Sequence, residues 1–211
     1  MKSQTMTLPD YDPLPLTVSD LSLERGGIPL ISGLSLRVEP GEALVLLGRN
    51  GVGKTTLLRA LSGVLRPVSG DIRYGDTPAI KSAPAICAFL GHDNALKPDE
   101  SPRQSLAFWA ALSGRSADVP GAMASMGLKA LADRPSRRLS QGQKRRAALA
   151  RILVQNRPVW LLDEPAAPLD GEGREKLSAT VTAHRARGGL VIAATHQALD
   201  WPDARVQELT R

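Results

Sequence analysis

One nine-residue stretch constrains this chain more than any other: Gly48-Arg49-Asn50-Gly51-Val52-Gly53-Lys54-Thr55-Thr56. It has the spacing glycine, four residues, Gly-Lys, then Ser or Thr. An apolar run, Ala43 to Leu47, leads into it, and a helical pattern leaves it. Glycines let a backbone curl so that successive N–H groups point inward as an anion nest. The helix that follows adds the positive end of its dipole. Lys54 brings a full charge to the β and γ oxygens of a bound nucleotide, and the Thr55 hydroxyl suits Mg²⁺. A strand, a phosphate loop and a helix in succession imply an α/β fold with its ligand at the strand's carboxyl end.

The chain has 211 residues, enough for one domain with a real core or a core carrying an inserted sub-domain. No apolar run approaches the ~18 residues that span a bilayer, and the start Met1-Lys2-Ser3-Gln4-Thr5 lacks the apolar segment of a signal peptide. A single cysteine, Cys87, rules out an internal disulfide framework and fits a reducing compartment. These features read as cytoplasmic. The net charge of +6 invites a nucleic-acid reading. However, the basic residues are scattered, with local groups at Arg137-Arg138 and Lys144-Arg145-Arg146, and aromatics make up 3% of the chain. That is too few for base-stacking platforms, so no direct nucleic-acid partner is expected and the basic groups read as a solvated or nucleotide-facing surface.

Residues 1–15 are polar and carry three prolines, which predicts a flexible tail. From Leu16 the pattern is extended. A strand around Thr17–Leu23 turns at Gly26-Gly27 into a second, where Leu34, Leu36 and Val38 alternate with Ser35, Arg37 and Glu39. The helix after Lys54 places Leu57, Leu58, Leu61, Val64 and Leu65 on one face and stops before Pro67. Ser69-Gly70-Asp71 predicts a turn into a strand Ile72–Tyr74, and Ala85 to Leu90 predicts a core strand ending at Gly91-His92. Ser101-Pro102-Arg103-Gln104 is a capping box that opens a helix ended by Gly114, and a further helix is expected over about 120–127. Ser140 and Gln143 repeat the capping-box spacing ahead of Ala147, Ala148, Leu149, Ile152 and Leu153. Val159 to Leu162 is a buried strand that ends in two carboxylates, Asp163 and Glu164. A charged helix (about 171–187) then leads to the strand Leu190–Ala194, with His196 at its exit.

A phosphate loop, a Leu139-Ser140-Gln141-Gly142-Gln143 box, a Leu161-Leu162-Asp163-Glu164-Pro165 strand end and a final strand with His196, in that order, resemble the ATP-binding subunit of ABC transporters. The resemblance runs from Leu16 onward. It implies a P-loop NTPase core with an antiparallel β subdomain and a helical subdomain inserted at about 96–154. It also implies ATP and Mg²⁺ as ligands. By the same resemblance Asp163 would hold Mg²⁺, Glu164 would polarise the attacking water and His196 would contact the γ-phosphate. Asp170 would lie in the loop that joins two sites. In that family the helix start at Ser140–Gly142 caps the γ-phosphate held by another subunit, so one loop and one box per chain imply a homodimer with two shared ATP sites.

A narrower resemblance is carried by Phe89 to Lys97, by Gln143 to Arg151, and by Gly188-Gly189-Leu190 running on to Thr195-His196-Gln197. These segments are similar to the ATP-binding subunits of the haem exporter family in bacterial cytochrome c maturation. That likeness implies integral membrane permease partners and a peripheral place on the cytoplasmic face of the inner membrane. The alternatives are the ATPase of another small-molecule exporter and a soluble ABC ATPase acting on nucleic acid or ribosomes; a module that senses ATP without turnover is a third. Two positions depart from the broader pattern. His92 stands where most relatives carry Gln, though its imidazole can still bond a water or a metal ligand. Near Arg25 there is no aromatic to stack on adenine, which leaves the Arg25 guanidinium for that task.

Overall fold

The computed structural model describes residues 11–114 and 117–210. Two long strands, β1 (Leu16–Arg25) and β2 (Ile28–Val38), form an antiparallel hairpin across Gly26-Gly27. β3 (Ala43–Leu47) runs into the phosphate loop, and α1 (Lys54–Leu61) leaves it. β4 (Ser69–Tyr74) returns along the free side of β1, and a two-residue edge strand, β5 (Thr77–Pro78), completes the sheet in the order β2-β1-β4-β5. After α2 (Ala79–Ile86) and β6 (Cys87–Leu90) comes a helical layer of α3 (Pro102–Ser113), α4 (Val119–Ser125) and α5 (Gln141–Gln155). The chain then forms β7 (Val159–Asp163), α6 (Gly171–Ala186), β8 (Leu190–Thr195) and β9 (Arg205–Glu208). The second sheet is parallel throughout, in the order β6-β7-β8-β3-β9.

Apolar runs without alternation become strands buried on both faces, and β3, β7 and β8 show why. Leu44, Leu46, Val159, Leu161, Leu190 and Ile192 face a core shared with α1 and the antiparallel sheet. Their neighbours Ala43, Val45, Trp160, Leu162, Val191 and Ala193 face a second core shared with the helical layer, among them Leu106, Met123, Met126 and Ile152. At roughly 1.5–3 kcal/mol for each fully buried large aliphatic side chain, these strands anchor both halves of the molecule.

Four expectations are corrected, and one strand was not expected at all. The helix after Lys54 ends at Leu61, not before Pro67, and Val64 is 80% exposed. Gly63 takes φ +75°, and the N–H groups of Gly63 and Val64 bond the carbonyls of Ala60 and Arg59, a pair that closes the helix end. Ser69-Gly70-Asp71 is strand rather than turn. Gly70 passes so close to β1 that a Cβ there would lie 2.4 Å from the Asp20 carbonyl oxygen, so glycine marks a close approach of two backbones. Residues 85–86 belong to α2, because β6 can pair only where β7 is opposite it, from Cys87↔Val159 to Leu90↔Leu162. β9 was not anticipated: its four residues are all exposed and carry no apolar period, and its pairing with β3 alone defines it. The flexible tail assigned to residues 1–15 lies outside the described residues up to residue 10, and from Tyr11 the chain is docked. The Tyr11 N–H donates to the Arg187 carbonyl at 2.9 Å, and its hydroxyl bonds Asn156 Oδ1 at 2.9 Å.

Tyr11 also meets the edge of His184, which stacks on Trp160 of β7 with ring centroids 3.8 Å apart. His184 is buried and its Nε2 lies 3.1 Å from the Pro158 carbonyl. Burial lowers its pKa to about 3, with the nearby Arg187 charge acting in the same direction. The folded state therefore holds it neutral, while the unfolded chain protonates it near pH 6.5. Stability from this residue is complete above about pH 6.5 and is lost as pH falls toward 3, by up to ~1.4 kcal/mol per pH unit. His184→Phe should flatten the denaturant-derived stability profile over that window relative to the parent; parallel profiles would contradict the assignment.

Candidate nucleotide site

The carboxyl edge of the parallel sheet gathers the polar residues. β3 delivers the phosphate loop, β7 delivers Asp163 and Glu164, β8 delivers Thr195 and His196, and β6 delivers Gly91-His92. α1 opens on Gly53, which caps it with no side chain, so the first N–H groups of the helix are left for an external acceptor. Lys54 is buried, and its ammonium donates to the carbonyls of Gly48 and Arg49, holding the charge at the centre of the loop. Thr55 Oγ1 donates to Asp163 Oδ2 at 2.8 Å, a link across 108 residues of sequence. A cavity of about 410 Å³ is lined by Gly51, Gly53, Lys54, Thr55, Thr56, His92, Asp163 and Glu164, with Arg25, Ile28 and Leu30 at the hairpin end. Gly48, Arg49, Asn50 and Val52 line an adjoining cavity on the far side of the loop.

Glu164 has φ +47°, a left-handed conformation that costs a non-glycine residue ~1–3 kcal/mol. Its N–H donates to the Ala194 carbonyl at 2.8 Å. One carboxylate oxygen lies 2.9 Å from His196 Nδ1, and the other accepts from the buried Thr195 hydroxyl at 3.2 Å. An ionised carboxylate only accepts, so the imidazole presents Nδ1–H to it and keeps Nε2 for another partner. The strained backbone and two side-chain bonds together fix one carboxylate at the cavity wall, where a carboxylate can accept a hydrogen bond from water. Asp163 and Thr55 offer two hard oxygens at the mouth of the phosphate loop. Among the described residues no three His, Cys, Asp or Glu side chains are grouped so as to hold a metal ion by themselves. That suits an ion held by one hydroxyl, one carboxylate and phosphate oxygens, as Mg²⁺ is, rather than by an all-protein cage.

The remaining expected residues stand apart from this cavity. Ser140 caps α5, accepting from the Gln143 N–H at 3.2 Å, and the Gln143 side chain accepts from the Ser140 N–H at 2.9 Å. Gly142 lies against the neighbouring loop: a Cβ there would be 2.9 Å from the Pro168 carbonyl oxygen. Asp170 caps α6 through the Gly173 N–H at 2.9 Å. None of the four lines the cavity that holds Lys54 and Glu164. The chain thus carries a phosphate loop with its carboxylates on one surface and an exposed helix start on another.

Sequence reasoning missed Thr195, Ile28 and Arg145. Arg145, assigned to a basic surface group, is 2% exposed. The signal was available: Arg145, Ala148, Leu149 and Ile152 follow the i, i+3, i+4, i+7 spacing of the buried stripe of α5.

A sequence profile of the ABC transporter family matches residues 31–167. The "Cytochrome c biogenesis ATP-binding export protein CcmA" of Maricaulis maris is 54% identical over 199 residues, 94% of this chain and 93% of that protein. The protein of the same name from Paracoccus denitrificans is 44% identical over 92% of this chain and 88% of its own length. Among solved structures, a putative ABC transporter ATP-binding protein from Pyrococcus furiosus superposes with a TM-score of 0.83 at 28% identity, covering 92% of this chain and 97% of that one. The dimeric structure of the bacterial ABC transporter cassette MJ0796 superposes at 0.81 with 22% identity, over 92% and 94% of the two chains, and speaks to the fold alone.

Ser140 is exposed and lies off the cavity, so Ser140→Arg should leave the nucleotide affinity of the isolated chain within about threefold while hydrolysis falls more than ~10-fold. Equilibrium binding of labelled nucleotide beside a phosphate-release assay checks this. Gly142→Asp is the less clean variant, because its side chain would also push the Pro168 loop. Equal loss of binding and turnover in Ser140→Arg would mean that Ser140 serves its own chain's nucleotide.

Proposed function

This chain belongs to the ABC transporter ATP-binding family and, within it, to the CcmA proteins of cytochrome c biogenesis, and from that premise we propose how its residues hydrolyse ATP and what the hydrolysis drives. It is an ATP-hydrolysing motor subunit of an export system in cytochrome c biogenesis, and its hydrolysis supports haem export and delivery. The single observation that carries the mechanism is Glu164, held in a strained conformation between His196 and Thr195 at the rim of the cavity that contains Lys54.

The phosphate-loop amides, with Lys54, grip the β and γ phosphates. Thr55 and Asp163 would hold Mg²⁺, which would supply neutralisation of the charge on the phosphate oxygens. The Glu164 carboxylate orients the attacking water and draws its proton. His196 fixes that carboxylate through Nδ1 and turns Nε2 toward the γ-phosphate. His92, on the same wall as Asp163, bonds the water or metal shell. The base meets the hairpin tip, where Arg25 and the exposed Ile28 supply a guanidinium plane and an apolar surface in place of an aromatic ring.

Two chains share each site. The exposed start of α5 at Ser140–Gly142, with Gln143 holding its cap, completes the γ-phosphate shell of the partner, and Asp170 lies in the loop between the two sites. Integral membrane permease subunits are the other partners. Among the described residues no helix is long and apolar enough to cross a membrane. Exposed Phe108 and Leu112 on α3 offer such subunits an apolar surface. The motor sits peripherally on the cytoplasmic face of the inner membrane.

Glu164→Gln keeps shape and a hydrogen bond but removes the charge that polarises water, so turnover should fall ~10²–10⁴-fold with binding retained. With Mg²⁺ and ATP the purified variant should elute as a closed dimer. In a host lacking this chain, the wild type but not the variant should restore haem-stained c-type cytochromes. Hydrolysis at the parental rate defeats the role of Glu164, and full restoration by the variant defeats the motor function.

A further inference from the structure

Among the described residues Arg145 pairs with no carboxylate, and its charge is placed where three functional segments meet. It projects from the second turn of α5, whose first residues form the exposed box at Ser140, and burial lowers its pKa to about 10. Nη2 donates to the Asp163 carbonyl and, at 2.9 Å, to the Glu164 carbonyl. Nη1 donates to the Gly91 carbonyl at 2.9 Å and to Asn94 Oδ1 at 3.1 Å. Nε points to the Pro165 carbonyl at 3.4 Å. The planar fork therefore bonds both peptide groups flanking the carboxylate strand's end and, with its other arm, the loop that carries His92. A compact ammonium has no such span.

The acceptors explain why the residue matters. Glu164 sits in the left-handed region, a conformation that persists only when its surroundings over-determine it. Its N–H is held by Ala194 on one side and its carbonyl by Arg145 on the other. Removing Arg145 would free the Asp163, Glu164 and Pro165 carbonyls in one stroke and release the Gly91–Asn94 loop from them. The Glu164 side chain would keep His196 and Thr195 but lose the backbone orientation that aims it.

We propose that Arg145 is a positioning residue for hydrolysis: it locks the backbone of Glu164 and ties it mechanically to the helix start at Ser140 and to the His92 loop. This rests on the reading of Glu164 as the group that orients water. A shift of α5, when its exposed start meets the partner's nucleotide, is then carried by one guanidinium to the carboxylate and to the His92 loop.

The test is steady-state hydrolysis by the full chain carrying Arg145→Lys, with melting temperature followed alongside and Glu164→Gln as the control. Lysine keeps charge and stem but cannot bridge both segments. The proposal requires kcat to fall ~10–100-fold while KM for ATP changes less than about threefold, in a protein that still melts cooperatively. Unchanged kcat, or kcat and KM deteriorating together, overturns it. Should Arg145→Lys fail to fold, Asn94→Ala decides. It leaves Arg145 in place and removes one acceptor on the loop side, so kcat should fall roughly 3–10-fold at unchanged KM; no change in kcat again overturns the proposal. If Glu164→Gln itself retains turnover, the reading of the site fails instead, and the two failures are thereby told apart.

Discussion

Three strands packed on both faces leave polar side chains only the strand ends, and in an open parallel sheet ligands bind at the carboxyl ends. β3, β7 and β8 alternate their side chains between two apolar cores, so none of their interior positions can carry chemistry without leaving a buried group unpaired. The loop after β3, the carboxylates after β7 and the Thr195-His196 pair after β8 are consequences of that constraint. β8 lies between β3 and β7, and the Thr55–Asp163 hydrogen bond reaches across it to close the floor of the site.

The same fold leaves the site open on one side. α1 starts without a side-chain cap and faces the cavity, whereas α5 starts with a complete capping box on exposed residues outside it. A helix start that is satisfied internally and exposed is free to meet a ligand held elsewhere, and a loop that grips phosphate from beneath leaves the γ-phosphate uncovered above. In the proposed dimer the two features meet between chains. Buried between them in each chain is Arg145, which joins the start of α5 to the strand end that carries Glu164.

Legibility in the sequence followed the range of the interactions. The phosphate loop, the capping boxes at Ser101 and Ser140 and the buried runs 43–47 and 159–163 are local patterns whose residue types suffice to define them. The roles given to Asp163, Glu164 and His196 came through family resemblance; the structure adds the bonds around them. What could not be read depends on partners distant in sequence. β9 exists because β3 pairs with it, Gly70 is required by β1, and Tyr11 is held by residues more than 140 positions away. Arg145 was misread because a basic triplet looks solvated unless its helical phase is counted, and Ala148, Leu149 and Ile152 put it on the buried stripe.

The central claim is that each catalytic site is assembled from two chains, and mixing two crippled proteins measures it directly. Lys54→Ala lacks a working phosphate loop but keeps the helix start at Ser140; Ser140→Arg is its complement. Each alone should be inactive. In a heterodimer one composite site receives the intact loop of one chain and the intact helix start of the other, while the second site receives both lesions. An equal mixture should therefore regain turnover toward about one quarter of the wild-type rate, given random pairing and independent sites. A mixture no more active than its two components, under conditions where heterodimers form, would contradict the shared site.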